Sequence, residues 1–173
     1  MAKCPKPRNL VCKLEPTRYK MPAMGSLTGP CRAVVIAREL IGDMARESML
    51  ALYLSAKHCP IAYDVFTSGG ISSVEIEPGA IVRGAVMVGA AALITVHNHP
   101  SGDADASDAD RRVWRELSTR CECLSIKHLD DIVIGEDGFF SRSEGRVRPF
   151  SHCAGETLEG WRSRGGARSR KRW

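Results

Sequence analysis

Residues 90–110 read AAALITVHNHPSGDADASDAD, and this order of residues decides how the chain is built. A run of small and branched apolar residues, Ala90 to Val96, stops abruptly at His97-Asn98-His99-Pro100. A loop carrying Ser101, Gly102, Asp103 and Asp105 follows, and Ser107-Asp108-Ala109-Asp110 opens a helix. Leu93 to Val96 is apolar at every position except Thr95, which predicts a strand buried on both faces in the middle of a sheet. Residues two apart in a strand point to the same side. His97 and His99 therefore present both imidazoles in one direction while Asn98 points away. Pro100 cannot continue the ladder and leaves the rings at the strand's C-terminal end.

Two neutral imidazoles with one carboxylate are a common zinc set, and a catalytic zinc site keeps its fourth position for water. Asp103, Asp105, Asp108 and Asp110 all lie close behind the histidines. A ligand must be held rigidly, which favours the first turn of a helix over a loop. Asp110, eleven residues after His99, meets that condition. Zinc lowers the pKa of its water to about 7, and a second carboxylate is then needed to take the proton and deliver it to the leaving group. Ser107-x-x-Asp110 is also the pattern of a helix N-cap with a carboxylate at N3; for Ser107 the two readings are compatible. Cys121-Glu-Cys123 is too closely spaced for a structural zinc pair. His58-Cys59 are neighbours whose side chains diverge, a poor nucleophile–base pair.

Outward from this stretch, Gly29-Pro30 is a stop-and-restart signal. Val34, Ile36, Leu40, Ile41 and Met44 then fall near helical spacing, predicting a helix over Ala33 to Arg46. Met49 to Ala56 and Ile61 to Thr67 read as a hairpin of strands, with a further short strand over Ile71 to Ile76. Pro78-Gly79 starts a second helix, where the missing proline N–H is not needed. After the helix from Ser107 to Arg120, strands are expected at Leu124–Ile126 and Asp131–Ile134. Gly135-Glu-Asp-Gly138 is a hairpin turn, and Phe139-Phe140-Ser141 is the returning strand. Beyond Arg146 the periodicity fails.

The 173 residues suit one core, and the abundance of Ala, Val and Ile suits mixed helix and strand. No apolar run reaches the roughly 18 residues of a membrane span, and no apolar segment of a secretory signal follows the basic N-terminus. Seven scattered cysteines lack the even framework of a secreted disulfide scaffold. Together these predict a cytoplasmic protein with reduced thiols and no membrane partner. The net charge of +5 comes from one end: six basic residues and no acid lie in 161–173, leaving 19 basic against 20 acidic residues elsewhere. Such an arginine-rich end is a solvated tail capable of a weak, salt-sensitive nucleic-acid contact.

His97-x-His99, seven residues, Ser107, two residues, Asp110 resembles the JAMM (MPN+) metalloprotease motif. The longer string His97-Asn-His-Pro-Ser-Gly-Asp103 resembles the RadC branch of that superfamily. So do Pro78 with its apolar helix, Leu129-Asp130 before Ile132-Val133-Ile134-Gly135, Phe140-Ser141 and Glu144-Gly145. The resemblance covers roughly residues 30 to 147. It implies an α/β (α+β) fold, a mixed sheet flanked by helices in the cytidine-deaminase-like group, with zinc held by His97, His99 and Asp110. It also implies an oxyanion-stabilising role for Ser107 and a general acid/base glutamate just before an early strand. Glu47 is at the matching place, with Glu39 the alternative. The domain organisation that follows is a proline-rich arm over 1–30, a RadC-like JAMM/MPN domain over 31–147 and a basic, disordered tail over 148–173.

The activity implied is zinc-dependent amide hydrolysis, as a peptidase or isopeptidase acting on a peptide or protein substrate. The alternative is a non-catalytic DNA-associated accessory protein, connected with DNA repair or mobile elements, that keeps the fold and uses the basic tail. A zinc deaminase needs His-x-Glu and Pro-Cys-x-x-Cys, and neither string occurs. Three departures from the resemblance stand out. Ala104 and Ala106 replace prolines in the loop before Ser107, predicting a looser loop. Asp131 stands where Leu-Asp-His is usual. The helix-hairpin-helix region of longer relatives has no room in 30 residues, so the likeness is to the short form.

Overall fold

A computed structural model describes residues 25–42, 45–67 and 77–156 of the chain. In order, these form α1 (Pro30–Ile41), β1 (Ser48–Leu54), β2 (Pro60–Thr67), α2 (Pro78–Met87), β3 (Ala92–Asn98), α3 (Asp108–Cys123), β4 (Lys127–Ile134), β5 (Gly138–Ser141), β6 (Arg146–Pro149) and a 3-10 turn, Phe150–Cys153. The strands make one mixed sheet in the order β2-β1-β3-β4-β5-β6. Only β3 and β4 run parallel, joined by the crossover through α3; the other neighbours are antiparallel. The α/β fold expected from the sequence is the one observed.

All seven residues of β3 are buried, because both of its edges are paired and both faces covered. On one face Leu50, Leu52, Leu54, Ile94, Val96, Ile132 and Phe139 pack against Ala33, Val34, Ile36, Ala37 and Ile41 of α1. On the other, Met49, Ala51, Tyr53 and Leu93 pack against Ile81, Val82 and Ala85 of α2 and Leu117 and Cys121 of α3. The alternation along β3 puts His97 on this second face, in register with Met49 of β1 and Val133 of β4. Trp114 of α3 closes the same face over Val133 and Phe140.

Several elements depart from the sequence reading. α1 ends at Ile41, with Gly42 as its C-cap, short of Arg46. The strand expected at Leu124–Ile126 is a turn. The buried stripe of Trp114, Leu117 and Cys121 carries α3 on to Cys123. Ser125 then takes a left-handed φ of 57°, and β4 begins at Lys127. Past Arg146 the chain adds β6, and a turn whose Phe150 and Cys153 pack against the α1 side of the core. Leu27, before Pro30, is also buried there.

Cys31 of α1 and Cys153 of the turn form a disulfide with Cα atoms 5.2 Å apart, which corrects the expectation of uniformly reduced thiols. Among the described residues Cys59, Cys121 and Cys123 are free. The expected strand over Ile71–Ile76 and the basic stretch 161–173 with its nucleic-acid contact lie outside the described residues. No helix among the described residues is long and apolar enough to cross a membrane.

Helix α2 stands close to the sheet because Gly84 has no side chain. A Cβ there would come 2.1 Å from the Tyr53 hydroxyl, and that ring is 1% exposed, with its hydroxyl bonded to Asp64 and Ile81. Gly84→Ala should therefore destabilise the fold by about 1–3 kcal/mol, the usual range for overpacking a core. Urea unfolding measures it; an unchanged midpoint would mean that α2 does not rest on Tyr53.

Candidate metal centre

β3 delivers His97 and His99 at its C-terminal end, and the crossover returns Asp110 to them on the first turn of α3. The two Nε2 atoms are 3.1 Å apart. Asp110 Oδ1 is 3.2 Å from His97 Nε2, and Oδ2 is 3.5 Å from His99 Nε2. Zinc binds nitrogen and carboxylate oxygen at about 2.0–2.2 Å, so a tetrahedral ion separates its donors by about 3.3 Å. The contacts among the three side chains are close to that separation, with one Asp110 oxygen facing each imidazole. Glu47, just before β1, brings its carboxylate into the same group, with all four donor atoms within 4.8 Å of one another. The sequence-expected set of Glu47, His97, His99 and Asp110 is thus brought together. Glu39 is exposed on α1, which covers the opposite face of the sheet.

The supports of each ligand follow from local chemistry. His99 Nδ1 lies 2.8 Å from the Asp103 carbonyl oxygen, an acceptor that keeps the proton of the neutral ring on Nδ1 and leaves the Nε2 lone pair for a metal. Ser107 is the N-cap of α3 in a full capping box. Its hydroxyl donates to Asp110 Oδ2 at 2.6 Å, its backbone N–H donates to the same oxygen at 2.7 Å, and the Asp110 N–H donates back to Ser107 Oγ at 3.1 Å. The helix cap and the ligand support are therefore one structure. The acidic side chain at this end also suits the helix dipole.

The loop between the histidines and Asp110 is held without prolines at positions 104 and 106. His99 N–H donates to Ile134 O, Gly102 N–H to His99 O, and Glu136 N–H to Gly102 O, at 2.9, 3.0 and 2.8 Å. Gly102 adopts φ +84°, and Ala104 is buried. A Cβ on Gly135 would come 2.4 Å from Gly102 O. The looseness expected from Ala104 and Ala106 is offset by this docking of the loop onto the β4–β5 turn.

One contributor escaped the sequence reading. Asn98, whose side chain points away from the imidazoles, accepts from Ser48 N–H at 2.8 Å and donates to Arg46 O at 3.2 Å. These bonds clamp the backbone on both sides of Glu47 and bring an otherwise irregular segment to the histidine end of β3. Its position between two histidines was the available signal. Asp105 and Asp108 are exposed and, like Asp103, outside the donor group.

Burial favours the neutral form of Asp110, but hydrogen bonds from His97, His99 and Ser107 outweigh it and hold the carboxyl well below the ordinary carboxylate range. The hydrogen bond to Asp110 raises His99 above the ordinary imidazole value; burial opposes this, while the Asp103 carbonyl and the charges of Asp110 and Glu47 add to it. The set is therefore a pair of imidazoles facing a permanent anion, ready to exchange protons for a cation. Residues 27–147 match the family model described as RadC-like JAB domain.

A protonated imidazole cannot ligate, so protons compete with the metal. Because His99 holds its proton to higher pH than a free imidazole, zinc affinity should start to fall above the ordinary histidine value of about 6.5 and keep falling with acidification. Chelator competition from pH 8 to pH 6 tests this. A flat affinity over that range would exclude histidine ligation.

Proposed function

This chain belongs to the RadC-like JAB domain family, and we propose that it is a zinc-dependent hydrolase cleaving amide bonds, as a peptidase or isopeptidase, in a peptide or protein substrate. The observation that carries this reading is the convergence of Glu47, His97, His99 and Asp110, whose donor atoms all lie within 4.8 Å of one another. Two imidazoles and one carboxylate suit zinc and leave a position open. When bound, zinc supplies a Lewis acid that polarises a carbonyl and acidifies water to a pKa of about 7.

The chain's own residues then divide the work. His97, 1% exposed at the strand end, and Asp110, fixed by its cap, keep the donor spacing without rearrangement. Glu47 is exposed at the rim, where a carboxylate can take a proton from the attacking water and pass it to the departing amine, the role of a general base turned general acid. Ser107 donates to Asp110 in the resting site; turned toward the reacting carbonyl, the same hydroxyl donates to the developing oxyanion.

Purified protein is expected to carry about one zinc per chain, lost in His97→Ala. Glu47→Gln should keep the zinc and lower hydrolysis of fluorogenic peptide and isopeptide substrates by roughly 100-fold or more, as loss of a general acid/base does. Metal analysis and initial rates give both answers. Zinc-free wild type, or a Glu47→Gln variant as active as wild type, overturns the reading.

A further inference from the structure

Behind the metal centre, on the same face of the sheet, lies a second polar cluster that the proposed chemistry does not use. Asp131 of β4 is fully buried. Its Oδ1 accepts from the Thr95 hydroxyl of β3 and lies 2.9 Å from His128 Nε2, while its Oδ2 lies 2.9 Å from Arg142 Nε. Neither nitrogen contact is aligned as a hydrogen bond, and the Arg142 one is a contact between opposite charges. His128 Nδ1 is 2.9 Å from Ser118 Oγ on α3, and Arg142 Nη1 donates to that same oxygen at 3.3 Å. With an imidazole acceptor and a guanidinium donor on either side, the Ser118 hydroxyl donates to His128.

A serine, a histidine and an aspartate in a chain invite comparison with a nucleophilic triad. Ser118 sits in the interior of α3, where neighbouring backbone N–H groups are consumed by the helix, so no donors are left to form an oxyanion hole. The cluster's geometry instead spans three elements: Ser118 on α3, His128 and Asp131 on β4, Thr95 on β3. Thr95 is two residues before His97 on the same side of β3, and Ser118 is eight residues after Asp110 on α3. The helix and the strand that together make the metal centre are therefore joined twice, once at the ligands and once through this cluster. Between the two ties α3 offers Trp114 and Leu117, whose apolar contacts are non-directional and permit sliding. Directional polar contacts do not.

We propose that Ser118, His128, Asp131, Arg142 and Thr95 form a positioning brace that sets the height of α3 above β3 and so holds Asp110 at ligand distance from His97 and His99. The inference rests on the metal-binding reading above, and its test separates the two.

Ser118→Ala is the decisive variant, because it frees the helix while leaving Asp131 with its buried partners. Zinc affinity should fall roughly tenfold, the low end for loss of a supporting partner. The visible d–d spectrum of the cobalt-loaded protein at saturation should change in shape, and Ser118→Thr should restore both. Urea unfolding in chelator should show only the modest loss expected of one hydrogen bond, with the variant still fully folded under the conditions of the zinc titration. Thr95→Val is the second variant, with the same zinc and cobalt effects expected. If both variants bind zinc as wild type does and give its cobalt spectrum, the brace does not position Asp110. If Ser118→Ala loses affinity only in step with chelator-state stability, its role is general packing and the proposal is overturned. Wild type that binds neither ion overturns the metal reading itself, and the brace with it.

Discussion

The candidate metal site depends on β3 being paired along both edges and covered on both faces. A strand in that position cannot tilt, slip or fray, since a slip of one residue would turn His97 and Thr95 into the α1 core and Val96 out of it. The antiparallel partner β1 carries Glu47 just before its first residue, and the parallel partner β4 requires a crossover, which is α3 with Asp110 at its start. Four donors from three places in the sequence meet because one strand has these two neighbours. Polar side chains at the strand end then find fixed partners: Asn98 clamps residues 46 and 48, and Thr95 meets Asp131.

Much of this was legible in residues 90–110, for physical reasons. An apolar run interrupted only by Thr95 and ending in alternate histidines has few interpretations, and a cap pattern leading to Asp110, eleven residues after His99, fixes where a rigid carboxylate can be. Glu47 was legible only through likeness to relatives, because a single acid before a strand has no periodic signature. Its selection over Glu39 follows from topology, as α1 covers the face away from the histidines.

What stayed hidden had its causes in long-range contacts. β6 reads Arg-Val-Arg-Pro, too short and too proline-marked to carry a strand's signal, and it pairs with the edge that β5 presents. Leu124 and Ile126 look like strand residues, yet Leu124 is exposed beyond the helix end and only Ile126 turns inward. The Cys31–Cys153 pair joins positions 122 residues apart, and one partner lay in a segment without periodicity. The loop before Asp110 shows the same thing in reverse. It has alanine at 104 and 106 in place of stiffening prolines, but its glycine and backbone carbonyl dock on Gly135 and Glu136, a contact that only the β4–β5 turn reveals. Ser118, His128, Asp131 and Arg142 are individually ordinary surface or strand residues until the sheet stacks them.

The most direct measurement is zinc K-edge X-ray absorption of the metal-loaded full chain. Ligation by His97, His99 and Asp110 predicts a shell of light atoms only, at about 2.0–2.2 Å, with the outer-shell scattering of two imidazoles that falls to one in His99→Ala. A sulfur scatterer at about 2.3 Å, or a spectrum without imidazole scattering, would contradict the site described here.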